Sequence, residues 1–107
     1  MNRNNPILYI VIPCYNEEKV LPHTNPMFIE KIESLINSGQ VHPNSKVMYV
    51  NDGSKDKTWE LIQQYAKENS HVVGIAQSRN RGHQSSVLAG MEEAAKFADI
   101  VITIDAD

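Results

Sequence analysis

Four short apolar runs punctuate the chain: ILYIVI (Ile7 to Ile12), KVMYVN (Lys46 to Asn51), VVGIAQ (Val72 to Gln77) and DIVITI (Asp99 to Ile104). Each is rich in β-branched residues and nearly continuous. Strict alternation would indicate strands with one wet face, whereas continuous runs predict strands buried on both faces of a parallel sheet. Between them the apolar spacing becomes helical. Phe28, Ile29, Ile32, Leu35 and Ile36 mark one face, with Gly39 where that helix should end. Leu61, Ile62, Tyr65 and Ala66 mark a second helix that Asp56 can cap. Val87, Leu88, Met91, Ala94 and Ala95 mark a third, leaving Glu92, Glu93 and Lys96 to solvent. The strand–helix alternation predicts an α/β fold, a Rossmann-like three-layer sandwich with a mainly parallel sheet and right-handed crossovers. The first strand is expected between the second and the fourth.

Composition narrows the class. With 107 residues, 41% hydrophobic and 21% charged, the chain reads as one ordinary globular domain. No repeat, low-complexity tract or internal linker interrupts it. A formal net charge of -3 offers no basic field for a polynucleotide, so nucleic-acid binding is not expected. Cys14 stands alone, which excludes an internal disulfide and a zinc site built on paired cysteines, and favours a reducing compartment. The apolar runs are too short to span a bilayer or to serve as a signal segment. The expectation is a soluble, cytoplasmic chain.

In open parallel sheets, ligands bind beyond the carboxyl ends of the strands. Those ends read PCYNEE (Pro13 to Glu18), NDGS (Asn51 to Ser54), SRNRGH (Ser78 to His83) and DAD (Asp105 to Asp107), while the opposite ends are bland. In an extended chain, residues two apart point to the same side about 6 to 7 Å apart. Asp105 and Asp107 can therefore converge on one point, and a hard divalent cation would relieve their repulsion while keeping positions open for phosphate oxygens. Taken alone, the pair reads more readily as solvated turn carboxylates or a helix cap.

The other ends supply context. Gly53 permits a tight turn that leaves Asp52 as an acceptor suited to a nucleobase imino N–H, while Ser54 and Asp56 read as residues that shape the turn and cap the next helix. Pro13 ends the first strand, Tyr15 offers a face for stacking a base, and Glu17 can accept from a base or ribose. Glu17 and Glu18 are equally suited to a helix's first turn. Arg79 and Arg81, next to Gly82 and a helix N-terminus, suit a diphosphate. Cys14 reads as a small packing residue, His23, His42 and His71 as surface residues, and His83 stays open.

VIPCYNEE, VNDGSKDKTWE, SRNRGHQSSVLAG and ITIDAD, in this order, resemble the amino-terminal half of a family 2 glycosyltransferase with the GT-A fold. The likeness is strongest to polyprenyl-phosphate and dolichol-phosphate glycosyltransferases, and it covers nearly the whole chain. The resemblance implies that Pro13, Tyr15, Glu17, the backbone at Val50 and Asp52 hold a donor nucleotide. Asp105, Ala106 and Asp107 would then serve ribose, diphosphate and a Mg²⁺ or Mn²⁺ ion, with Asp105 and Asp107 as metal ligands. The family often has a second acid where this chain has Asn51, which weakens a metal or ribose role there.

It further implies inverting transfer of a sugar from a UDP- or GDP-sugar to an acceptor, a lipid phosphate such as a polyprenyl phosphate or a saccharide. No residue is assigned as catalytic base. GT-A enzymes continue for roughly another hundred residues or more, in keeping with ordinary domain sizes. The 107 residues are thus expected to be the nucleotide-sugar-binding part of a longer chain, cut after the DxD motif and inactive alone. The full protein could sit at the cytoplasmic face of a membrane. Two other enzyme classes fit less well: a nucleotidyltransferase would need a glycine-rich basic signature after the first strand, and a dinucleotide-binding dehydrogenase a G-x-G-x-x-G turn. A non-catalytic nucleotide-binding or interaction module is the alternative if the protein ends at Asp107.

Overall fold

The computed structural model describes residues 5–77 and 82–105. Its elements alternate in the expected order: β1 (Leu8–Cys14), α1 (Leu21–Asn37), β2 (Lys46–Asp52), α2 (Thr58–Glu68), β3 (Val72–Gln77), α3 (His83–Ala94) and β4 (Ile100–Thr103). The strands form one sheet in the order β3-β2-β1-β4, and every neighbouring pair is parallel. β1 therefore lies between β2 and β4, as the sequence implies.

Continuous apolar strands bury both faces because successive side chains point to opposite sides. Leu8, Ile10, Ile12 and Cys14 of β1, with Val47 and Tyr49 of β2, meet Leu21 and Ile32 of α1 and Ile62 of α2. Phe28, Ile29, Leu35 and Ile36 pack against this layer, as do Leu61, Tyr65 and Ala66, so both expected helix faces are the packed ones. α1 begins at Leu21, with a proline in its first turn, where a missing N–H costs nothing. Tyr49 in this layer is fully buried and donates its hydroxyl to Asn25 Oδ1 at 2.7 Å. Burial pushes that phenol well above its ordinary value and keeps it a donor. Tyr9, Val11, Met48 and Val50 point the other way and meet Ala94 of α3.

α3 corrects the sequence reading. Its buried residues are Ser86, Gly90 and Ala94, whereas Leu88 is 58% and Met91 40% exposed. A Cβ at Gly90 would lie 2.4 Å from Val11 Cγ1 and 2.8 Å from Val50 Cγ2, so the helix approaches the sheet more closely than any side chain there allows. The small-residue stripe faces the sheet because contact distance, rather than hydrophobicity, decides the seat. Among the described residues β4 pairs with β1, and Ile100 and Ile102 are exposed where the sequence pattern led to an expectation of burial on both faces. His23 is exposed as expected, but His42 and His71 are half-buried. His42 Nδ1 accepts from Asn44 N–H at 2.9 Å, and His71 Nδ1 lies 3.2 Å from Ser45 O, both among loops at the far end of the sheet from Asp105.

Candidate functional site

The β1–α1 and β2–α2 loops run side by side and are tied by hydrogen bonds between residues far apart in sequence. Asn16 takes the left-handed conformation (φ 53), which asparagine tolerates better than most residues. There its N–H donates to Ser54 Oγ at 3.0 Å and its Oδ1 accepts from Lys55 N–H at 2.8 Å. Glu17 N–H donates to Thr58 Oγ1 at 2.8 Å, and Glu18 N–H to Asp56 Oδ2 at 3.2 Å. The Glu18 carboxylate returns the contact by accepting from Lys57 N–H at 3.3 Å. Asp56 Oδ1 also accepts, at 2.9 Å, from the N–H of Thr58, the first residue of α2, although the N-cap position itself is Lys57. Burial opposes ionisation of Asp56, but bonds from the Thr58 hydroxyl, the Thr58 N–H and the Glu18 N–H outweigh it and hold the carboxyl below its ordinary value. Ser54 and Asp56 thus do more than shape their own turn: they fasten one loop to the other.

Above these loops lies a pocket of about 440 Å³ lined by Pro13, Cys14, Tyr15, Glu17, Asp52, His83, Ser86 and Asp105. It opens at the carboxyl ends of β1, β2 and β4, the rim where the topology favours a ligand. Of the residues singled out from sequence, Pro13, Tyr15, Glu17, Asp52 and Asp105 come together here. Tyr15 is 41% exposed, so its ring is available for stacking, whereas Asp52 is only 3% exposed. Asp52 Oδ2 accepts from Gly82 N–H at 3.2 Å. Gly82 has φ +95, a region L side chains rarely adopt, so glycine is what lets the chain present that N–H before α3 begins. Val50, implicated through its backbone, has its side chain fully buried on the α3 side of the sheet and pairs with Pro13 and Ile75 in the strands. Arg79, Arg81, Ala106 and Asp107 lie outside the described residues.

Three walls were not singled out as ligand-facing. Ser86 is fully buried and donates from Oγ to Gln77 Oε1 at 2.9 Å. His83, one turn earlier on α3, places Nε2 at 3.6 Å from Asp105 Oδ1. Their spacing of three on one helix face is the signal that would have paired them. Cys14 faces the pocket from the end of β1, and burial, with the nearby Glu17 charge, pushes its thiol up to about 12. It remains a protonated wall residue, in line with its reading as a packing side chain.

The donor set suits a hard cation shared with a ligand. Among the described residues no group of three His, Cys, Asp or Glu side chains could enclose a metal. Mg²⁺ and similar ions are usually held by one or two carboxylates plus substrate phosphate oxygens, not by an all-protein cage. An accessible carboxylate such as Asp105, on the pocket rim, fits that mode. A larger hollow of about 710 Å³ lies against α2 and β3, lined by Trp59, Ile62 and Gly74 among others, and no carboxylates converge there from separate strands.

A family model described as Glycosyl transferase family 2 matches residues 9–107. The chain belongs to that family. Among relatives of this family 2 chain is an uncharacterized glycosyltransferase, YkoT, of Bacillus subtilis (strain 168), 42% identical over 107 residues, which are 100% of this chain and 32% of YkoT. Another is the undecaprenyl-phosphate 4-deoxy-4-formamido-L-arabinose transferase of Shewanella sediminis (strain HAW-EB3), 36% identical over 99% of this chain and 30% of the relative. The chain thus spans about a third of the length of these relatives. Among solved structures, the mannosyltransferase PcManGT of Pyrobaculum calidifontis, in complex with GDP-Man and Mn²⁺, superposes with TM-score 0.68 at 20% identity, covering 98% of this chain and 28% of that one. S. aureus TarS 1-349 in complex with UDP gives TM-score 0.69 at 20% identity, covering 94% and 27%. At such identities the likeness speaks to the fold, an α/β Rossmann-like arrangement shared with GT-A glycosyltransferases.

Proposed function

We propose that the natural protein is an inverting glycosyltransferase that moves a sugar from a nucleotide-diphosphate donor to a polyprenyl phosphate. The observation that carries this reading is the convergence of one aromatic ring, Tyr15, with the carboxylates of Glu17, Asp52 and Asp105 in a single pocket at the strand ends. Tyr15 stacks on the donor base, Asp52 accepts from its imino N–H, and Glu17 accepts from base or ribose. Asp105, with Ala106 and Asp107 beyond it, serves ribose, diphosphate and a Mg²⁺ or Mn²⁺ ion, and Arg79 and Arg81 pair with the diphosphate. The cation, when bound, neutralises charge on the departing nucleotide diphosphate.

An acceptor oxygen attacks the anomeric carbon opposite the leaving diphosphate, so the configuration inverts. A lipid phosphate is already ionised and needs little deprotonation, which suits a site in which no residue is assigned as base. The name of the Shewanella relative, an undecaprenyl-phosphate transferase, supports that acceptor, and the nucleotides bound by the two structural neighbours support the donor class. A lipid acceptor would bring the protein to the cytoplasmic face of a membrane. No helix among the described residues is long and apolar enough to cross one. The 107 residues alone are not expected to complete a turnover, because they span only a third of their relatives.

The test is a donor screen on the natural full chain, with UDP- and GDP-sugars, Mg²⁺ or Mn²⁺ and a polyprenyl phosphate. Asp107→Ala should lower kcat by orders of magnitude, a loss of several kcal/mol of transition-state stabilisation. Asp52→Ala should mainly raise the donor KM, by about 1 to 3 kcal/mol for a buried partner left unpaired. Full activity in the presence of a chelator, or an unchanged KM in Asp52→Ala, would overturn the assigned roles; failure to use any nucleotide sugar would overturn the function.

A further inference from the structure

We propose that His83 is a positioning residue that acts through Asp105, fixing the carboxylate that faces the diphosphate end of the donor pocket. The inference rests on the glycosyltransferase reading above. Its basis is an asymmetry between the two partners. Asp105 follows β4 and lies two residues past that strand's end. The polar side chain that approaches it among the described residues is His83, with Nε2 at 3.6 Å from Oδ1.

His83, by contrast, projects from a helix held at three points. Gly82, immediately before it, donates its N–H to Asp52 Oδ2 at 3.2 Å. Ser86, one turn on, is bonded to Gln77 at the end of β3 at 2.9 Å. Gly90 seats the helix directly on Val11 and Val50. One rigid turn of α3 therefore touches both rim carboxylates, Asp52 through the backbone and Asp105 through the imidazole, and sets the distance between the base end and the diphosphate end of the pocket. His83 and Asp105 are 63% and 70% exposed, and a pair this wet contributes little by itself. Its influence grows when a bound donor displaces water and the local dielectric falls.

The experiment uses the natural full chain and calorimetric binding of two probes, Mn²⁺ with UDP or GDP, and the matching nucleoside alone, alongside donor kinetics. His83→Ala should weaken diphosphate binding and kcat/KM about tenfold, the scale expected for a displaced positioning group, and leave nucleoside binding unchanged. His83→Gln, whose amide N–H can occupy the Nε2 position, should restore most of the loss. In an Asp105→Asn background, His83→Ala should cost nothing further, because a residue acting through a partner is silent once the partner is gone. Equal weakening of nucleoside and diphosphate would mean a merely structural role and overturn the inference. So would additive losses in the double variant, or no rescue by glutamine. A wild-type chain that binds neither UDP nor GDP would instead overturn the proposed function, and this inference with it.

Discussion

Gly90→Ala is the most direct test of how α3 is seated. In an exposed helix this change would stabilise by about 0.8–1.0 kcal/mol through propensity alone. Here the added methyl would sit 2.4 Å from Val11 Cγ1 and 2.8 Å from Val50 Cγ2, both on fully buried valines of the sheet. Neither neighbour is the loose end of a long side chain, so the helix must lift or the valines must leave their rotamers. Overpacking costs typically ~1–3 kcal/mol, and contacts this short belong in the upper half of that range. Subtracting the propensity gain leaves a net destabilisation of about 1–2 kcal/mol. Gly90→Val, larger and β-branched, should cost more. Urea denaturation of the natural full chain, followed by circular dichroism, measures this as a lower midpoint with an unchanged slope. Lifting α3 also moves His83 and Ser86 away from the pocket, so nucleotide-diphosphate binding should weaken in the same variant. A higher urea midpoint for Gly90→Ala would refute the close-contact reasoning outright.

Three further expectations bear on the loops and walls of the pocket. The Asp56 carboxyl is held below its ordinary value near 3.8, so its contribution to stability is present above that value and is lost as pH falls through the lower, folded-state value. Asp56→Ala should cost about 1 kcal/mol at neutral pH, and its deficit against wild type in urea titrations should shrink towards pH 3; a deficit independent of pH would contradict the assignment. Tyr15→Ala should weaken nucleotide binding by about 1–3 kcal/mol, as for other base–aromatic stacks, while Tyr15→Phe should bind like wild type; equal losses in both would point to the hydroxyl instead. Cys14, with its thiol raised to about 12, should resist iodoacetamide at pH 8 in the native protein and react once urea exposes it; rapid native labelling would show the pocket wall to be open.

How much of this was legible in the sequence depended on whether the deciding contact was local. Strand positions follow from continuous β-branched runs, and the faces of α1 and α2 from ordinary helical spacing, because both signals lie within a few residues. The rim residues Tyr15, Glu17, Asp52 and Asp105 could be grouped because topology alone sends every strand's carboxyl end to one side. The face of α3 could not be read this way. Leu88 and Met91 suggested an apolar stripe, but the seat is chosen by Gly90 against valines about 40 and 80 residues away in the chain, a distance constraint that no helical period encodes. Ser54 and Asp56 were readable as turn residues and unreadable as loop ties, since their partners Asn16 and Glu18 are 38 residues distant.

The ties between the β1–α1 and β2–α2 loops have a consequence for how donor preference can change. Tyr15 rides on the first loop and Asp52 leads into the second, yet Asn16, Glu17 and Glu18 are bonded to Ser54, Thr58 and Asp56, so neither loop keeps its shape without the other. Segments 38 residues apart thus behave as one heritable module. A chimera that imports only one loop from a relative with a different nucleotide preference should lose donor binding altogether, whereas one that imports both together should carry the preference across intact.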